Sequence, residues 1–287
     1  MIVVGNITVG GTGKTPLIMA LIRLLQQKGY RVGVISRGYK GRAKHYPMHV
    51  SGKSTASLVG DEPYMIATQC AVPVVVDPNR VNALSALVQK TPCDIVLSDD
   101  GLQHYNLQRA LEIAVVDKTR KIDNTFCLPA GPYREPQSRL KTVGLVVNHG
   151  SDTSADMVLT PVTYINLFDT TTKRDIAAFS GMVVHAVTGI GHPQRFFKTL
   201  RELGCDVIEH AFSDHHQFHA SELNFKEDYP IIMTLKDAVK CQSFSHKNMW
   251  CLDVNATLSN TLTARFNQKI LSLAPQKPIN NRSYSYG

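Results

Sequence analysis

The chain has 287 residues, 43% hydrophobic and 19% charged, with a formal net charge of +8. That balance excludes a disordered or low-complexity protein and gives enough length for two domains, each with its own core. The basic excess suits an anionic partner (a nucleotide, a nucleic acid or an acidic lipid surface) without choosing among them.

From 1 to about 150, apolar runs of strand length alternate with helical patterns, which predicts βαβ units and a parallel sheet. The runs are MIVV at the start, RVGVIS at 31–36, VPVVV at 72–76, DIVLS at 94–98, LEIAVVD at 111–117 and VGLVVN at 143–148. Between the first two, Leu17, Leu21, Leu24 and Leu25 share a helical face, and Lys28-Gly29 ends the helix. The stretch 38–58 reads as a long functional loop, and 151–175 as short strands or a polar connector. GMVVHAVTGIG at 181–191 opens a fresh strand, glycine turn and helix, and CDVIEH, PIIMT and MWCLDV supply further strands, the last followed by a helix. The expected architecture is α/β: a P-loop NTPase-like parallel sheet flanked by helices over 1–150, then a connector and a smaller α/β domain over 151–287. The tail NNRSYSYG is expected to fray.

The six cysteines, Cys70, Cys93, Cys127, Cys205, Cys241 and Cys251, lie far apart with no CxxC pair and read as reduced core thiols of a cytosolic protein. No signal-peptide pattern is visible, nor a run of about 18 apolar residues able to span a bilayer, so a soluble or peripheral chain is expected.

The opening MIVVGNITVGGTGKTP carries the strongest chemical signal. In the pattern GxxxxGK[ST], Gly13, Lys14 and Thr15 fill the last three places, while Thr8 stands in the first. The mechanism survives that departure, because Gly10, Gly11, Thr12 and Gly13 still present backbone N–H groups at a helix N-terminus, where they converge on phosphate oxygens. Lys14 would reach the β- and γ-phosphates of ATP, and Thr15 would offer its hydroxyl to Mg²⁺. The strand ending in Asp99 and Asp100, with Gly101 turning beyond, supplies the second metal anchor. Gln103 and His104 follow closely enough to face the same cleft.

Other candidates are open at the level of local sequence. Asp61 and Glu62 in GDEP, taken alone, read as a helix N-cap. In FSDHHQFH, His215 and His219 have the i, i+4 spacing of metal ligands, but no flanking Cys or Glu completes a ligand set; a surface cluster is the readier reading, and a histidine supporting an aspartate base is a third. Arg134 in LPAGPYREP is a clamp for a transferring phosphoryl group or a surface arginine, and Arg37 and Arg80, each just past a strand, belong with it. The P-loop alone also allows an ATPase acting as a switch or positioning module, against which Val9 counts, and the charge allows a non-enzymatic membrane-surface binder.

GNITVGGTGKTP, VISRGYKG, GDEP, SDDGLQH, LPAGPYREP, AVTGIGHPQRFF, FSDHHQF and MTLKDAVK, in this order, resemble the tetraacyldisaccharide 4'-kinases of lipid A synthesis, from residue 1 to about 255. The resemblance implies transfer of the γ-phosphoryl of ATP to the 4'-hydroxyl of a tetraacylated glucosamine disaccharide 1-phosphate, at the cytoplasmic face of a Gram-negative inner membrane. It implies ATP on Gly10 to Thr15, Mg²⁺ on Thr15, Asp99 and Asp100, and catalysis by Asp61 paired with a histidine of the DHH motif, His215 before His216, with Lys14 and Arg134. Tyr39, Arg80, Gln103 and His104 fall in motifs that surround the nucleotide and lipid head group. Neither nucleic acid nor an obligate protein partner is expected. The chain departs from the family in two places: a hydrophobic segment usually precedes the first strand, implying an anchor absent from this chain, and Leu235 stands where MTEKDAVK has its acid.

Overall fold

The structure is a computed structural model that describes residues 1–152 and 154–273; the NNRSYSYG tail lies outside the described residues. The first half contains β1 (Ile2–Gly5), α1 (Lys14–Gln27), β2 (Val32–Ser36), β3 (Met48–His49), α2 (Ala56–Val59), α3 (Asp61–Cys70), β4 (Val74–Val76), α4 (Arg80–Lys90), β5 (Ile95–Asp99), β6 (Leu111–Asp117) and β7 (Leu145–Gly150). The second contains β8 (Met157–Asn166), β9 (Lys173–Arg174), β10 (Val183–Thr188), α5 (Pro193–Glu202), β11 (Asp206–Ala211), β12 (Ile231–Thr234), α6 (Leu235–Cys241), β13 (Met249–Leu258) and α7 (Asn260–Leu273).

The strands form one sheet in the order β11-β10-β12-β13-β8-β7-β6-β1-β5-β2-β4-β3, with β9 paired to β8. The pairs from β7 through β6, β1, β5 and β2 to β4 are all parallel, as the βαβ pattern predicts. Alternation along the strands divides the core: Val32 and Val34 join α1, α3 and α7 on one face, while Ile35 joins α4 on the other. In α1 the buried Leu17, Ile18, Leu21, Ile22 and Leu25 form one stripe, and the chain leaves the helix at Gly29, whose φ of 81° suits a residue without Cβ.

Two connections differ from the sequence expectation. The 38–58 loop includes β3 and α2, and 151–175 holds a ten-residue strand, β8, instead of short pieces. Pro161 obscures β8 in the sequence because it cannot donate to a ladder. The sheet absorbs it with a register shift at Asp253/Val254 of the antiparallel partner β13.

Because β1, β2, β5 and β6 run parallel, the segments after them leave from one edge of the sheet. Open α/β sheets bind their ligands at that carboxyl edge.

Candidate active site

The loop after β1 is held from both sides. Asn6 is fully buried and accepts a hydrogen bond from Lys14 Nζ at 3.2 Å. The Ile7 carbonyl accepts from the Arg134 amide, Val9 N–H donates to the Pro132 carbonyl, and the Val9 carbonyl accepts from Arg120. Gly10 and Gly13 both have φ of +91°, which side chains rarely tolerate, and a Cβ at Gly11 would meet nothing within 4 Å. Thr12 is buried and its Oγ1 has no hydrogen-bond partner. Such an orphaned hydroxyl in a glycine loop at a helix N-terminus suits a phosphate oxygen. Thr15 lies in the first turn of α1.

At the tip of β5 the two carboxylates have different surroundings. Asp100, with φ of 49°, receives Arg134 Nη1 at 2.8 Å on both oxygens and Lys14 Nζ at 3.4 Å. Burial works to raise its carboxyl, and Lys14 and Arg134 outweigh burial and hold it below the usual range. Asp99 accepts a hydrogen bond from Ser36 Oγ at 3.1 Å and forms no ion pair among the described residues. Burial, then the negative charges of Asp100 and Glu62, push its carboxyl up to about 7. A buried carboxylate without an ion-pair partner, beside a second carboxylate, offers hard oxygens of the kind that fit Mg²⁺.

Asp61 begins α3 and is 3% exposed. Its N-cap is Gly60, φ +96°, where a Cβ would lie 2.9 Å from the Tyr39 carbonyl. His215 Nδ1 lies 3.1 Å from Asp61 Oδ2, and His215 Nε2 lies 3.0 Å from Lys236 Nζ. Lys236 also pairs with Glu62 at 3.1 Å and Asp214 at 3.3 Å; burial lowers its ammonium, and those carboxylates outweigh burial to raise it. The ring of Tyr39 meets His215 edge-on, with centroids 5.2 Å apart. His216 turns away to Glu222, and His219 caps the short helical turn Ala220–Leu223, so the histidines do not converge as a metal set.

The turn after β10 lies between the glycine loop and the Asp61 pair. Gly189 accepts from the His215 amide and donates its own N–H to Asp237, while a Cβ on Gly191 would lie 3.4 Å from Asp214 Oδ2 and 3.9 Å from Gly11 N.

Of the remaining candidates, Gln103 donates to the Asn6 carbonyl and to Glu135, and stands 3.4 Å from Arg134. Arg80 is 4% exposed, donates to the carbonyls of Asp77 and Pro78, and leaves its Nε unpartnered; burial lowers its guanidinium. His104 Nε2 is also buried without a partner, and burial followed by the charges of Arg80 and Arg109 holds its imidazole low. The charges of Asp99, Asp100 and Arg37 act on Arg80, so it lies near the two carboxylates at the tip of β5. Sequence reasoning did not single out Asn6, Glu135, His149, Arg195, Lys236, Asp237 or Lys240. For the last three the signal was present in LKDAVK, where Asp237 and Lys240 share a helix face at i, i+3. Leu235, at the start of α6, packs against the α2–α3–α6 cluster.

The family model described as Tetraacyldisaccharide-1-P 4'-kinase matches residues 1–271. The tetraacyldisaccharide 4'-kinase of Pseudomonas fluorescens Pf-5 is 45% identical over 282 residues, covering 96% of this chain and 84% of the relative. That of Legionella pneumophila strain Lens is 48% identical over 270 residues, covering 93% and 82%. The crystal structure of LpxK from Aquifex aeolicus in complex with ATP matches with a TM-score of 0.73 at 27% identity, covering 93% of this chain and 87% of that one, and supports the P-loop-type α/β fold. With a family match over nearly its whole length and relatives well above 40% identity, the chain belongs to the tetraacyldisaccharide-1-phosphate 4'-kinase family.

Proposed function

We propose that the chain transfers the γ-phosphoryl group of ATP to the 4'-hydroxyl of tetraacyldisaccharide 1-phosphate, working at the cytoplasmic face of the inner membrane. Membership of the family supports the acceptor, and the ATP complex of the Aquifex aeolicus relative supports the donor. The observation that carries the reading is the 3.1 Å contact between Asp61 and His215, next to a Gly189–Gly191 turn that comes close to a glycine loop with an unpartnered Thr12 hydroxyl.

In this reading the Gly10–Gly13 amides and Thr12 hold the phosphates, and Lys14 and Arg134 offset the charge that develops on the moving group. Asp61, oriented by His215, takes up the proton of the acceptor hydroxyl as the new P–O bond forms and the bond to ADP breaks. Thr15, Asp99 and Asp100 would hold Mg²⁺, which supplies Lewis-acid neutralisation of the phosphate oxygens. Tyr39, Arg80, Gln103 and His104 line the approach of the acceptor head group. The division near residue 150 belongs to the same proposal: the first half brings the loop and metal anchors, and the second brings His215 and Lys236. Among the described residues no helix is long and apolar enough to cross a membrane.

Incubation with Mg·ATP and a disaccharide 1-phosphate lipid, followed by mass spectrometry of the product, tests the reading. One new phosphate at the 4'-position is expected; ATP hydrolysis without lipid phosphorylation would overturn it.

A further inference from the structure

Single exposed apolar side chains are ordinary, whereas neighbouring ones held out together on a braced turn mark a contact surface. Phe126 and Leu128 are 69% and 56% exposed, and the segment around them is not loose. Leu128 N–H donates to the Tyr133 carbonyl at 2.7 Å, Tyr133 N–H to the Phe126 carbonyl at 3.2 Å, and Gly131 N–H to the Cys127 carbonyl at 3.1 Å. The Asn124 side chain braces the base, accepting from Phe126 N–H and donating to the Ala130 carbonyl. A Cβ at Gly131 would fall 2.3 Å from the Phe126 carbonyl, so this close turn requires glycine. Tyr133 then bridges to Thr8 on the phosphate loop. The turn is braced by its own hydrogen bonds and bridged to the glycine loop, and the large apolar side chains it leaves exposed are Phe126 and Leu128.

The charge around the hairpin says what covers it. Lys118 and Lys121 are exposed on its approach, and Asp123 is the only acidic residue in 118–134. On the far side of β1, the segment after β2 carries exposed Lys40, Arg42 and Lys44, and 37–60 contains no acidic residue. Both segments leave the same carboxyl edge of the sheet and flank the site. Apolar tips framed by cations match an anionic bilayer, whose headgroups attract Lys and Arg while its interior takes Phe and Leu.

We propose that the 124–133 hairpin is a membrane-docking wedge: Phe126 and Leu128 enter the acyl boundary of an anionic leaflet while the lysines and arginines around the site rest on its headgroups. This rests on the lipid-kinase reading above. Docking so close to the P-loop lets the acceptor sugar reach the site without its acyl chains leaving the bilayer.

The full chain is sedimented with vesicles of phosphatidylethanolamine and phosphatidylglycerol, and with phosphatidylcholine vesicles alone. Binding to the anionic vesicles is expected, weakened at least ~10-fold in F126S/L128S. An F126W chain is expected to show blue-shifted emission, quenched by spin labels placed in the bilayer, against the quiet background of Trp250, which is 3% exposed. Equal vesicle affinity of F126S/L128S and the parent chain, an unchanged F126W spectrum, or no preference for anionic vesicles would each overturn the proposal. So would a self-associated chain that F126S/L128S converts to monomer without lipid, because the hairpin would then cover a second copy. Phosphorylation of a deacylated, water-soluble disaccharide 1-phosphate is expected to be equal in the parent chain and F126S/L128S. Failure of the parent chain in that assay would count against the kinase reading and leave the wedge to the vesicle result.

Discussion

His215 Nδ1 lies 3.1 Å from Asp61 Oδ2 across 154 residues of chain, while the neighbouring His216 places its Nε2 3.0 Å from both carboxylate oxygens of Glu222. A lysine ammonium has no lone pair, so His215 Nε2 is the acceptor toward Lys236 and Nδ1 carries the proton given to Asp61. Asp61 is thereby held in one orientation by the Nδ1–H of His215. An Asp61→Asn enzyme is expected to lose about 10²–10⁴ in kcat, the usual span for a positioned base. His215→Ala loses less, because the carboxylate remains, and His216→Gln stays within about threefold, because that half-buried ring faces Glu222, Phe212 and Phe218 and not Asp61. Steady-state kinetics of the three variants check the order; a His216 effect larger than that of His215 would reverse the pairing.

Asp99 gives a pH signature. Its carboxyl sits near 7 in the fold against an ordinary value of 3.8, so the folded chain binds the proton more tightly than the unfolded chain does. This contribution to stability is fully present below about pH 4 and is lost as pH rises toward and through 7, amounting to up to about 4 kcal/mol at alkaline pH. Asp99→Asn is therefore expected to raise the unfolding temperature of the metal-free protein by several degrees at pH 8 and by less at pH 6. The same substitution removes a proposed metal ligand, so added Mg²⁺ should stabilise the parent chain at pH 8 and leave Asp99→Asn unmoved. Thermal unfolding in chelator and in Mg²⁺ at both pH values measures all of this, and an identical pH trend in the two proteins would show that Asp99 is ionised and satisfied without metal.

These two carboxylates also show how far the sequence could be read. The parallel strands, the helix from Lys14 and the paired acids at the tip of β5 were legible because each is local: a β-branched run, a glycine loop, a strand end. The choice between a helix cap and a catalytic aspartate at Asp61 was not local, since its partner arrives from the far end of the sheet; the family resemblance, not spacing, pointed to it. Asn6, Glu135 and His149 were illegible for a different reason. Each acts by bonding a neighbour's backbone or side chain, and such contacts leave no periodicity or motif in the chain.

His149 illustrates this. Its Nδ1 is 3.1 Å from the Thr12 carbonyl, which only accepts, so Nδ1 bears the proton and Nε2 accepts from Arg195 Nη2 at 2.9 Å. Burial, and then the Arg195 charge, keep the imidazole below its ordinary 6.5. A trans peptide sets C=O and N–H on opposite sides, so pinning the Thr12 carbonyl to His149 aims the Gly13 N–H the other way. Arg195, on α5 and paired with Asp117, thus ties the second half of the chain to the phosphate loop. Arg195→Met is expected to raise the KM for ATP about 5–10-fold, the value of one ordinary hydrogen bond since Arg195 acts on the loop through His149, with a smaller change in kcat. Because the folded imidazole resists its second proton, stability from this site is present above about pH 6.5 and falls as pH drops below it. An unchanged KM for ATP would confine Arg195 to a surface role.

The buried Asp237–Lys240 pair behind the site offers a stability test. Asp237 is fully buried and receives Thr188 Oγ1 at 2.8 Å, Gly189 N–H at 3.1 Å, Thr234 Oγ1 at 2.6 Å and Lys240 Nζ at 2.8 Å, while the Lys240 side chain is 1% exposed. Removing one charge leaves the other uncompensated in a medium that solvates it poorly, at a cost of about 3–5 kcal/mol. Lys240→Met should therefore lower the denaturant midpoint sharply, and Asp237→Asn should lower it by less, because the ammonium keeps the His216 carbonyl at 2.9 Å and the Asp61 carboxylate at 4.0 Å. The double substitution removes both charges and keeps most of the volume, so its loss is expected to be smaller than the sum of the single losses by at least about 1 kcal/mol. The Lys240 ammonium is also 4.0 Å from Asp61 Oδ2, close enough to influence that carboxylate. Catalysis should therefore fall in the double variant even where folding is rescued, separating the pair's support of the fold from its hold on Asp61.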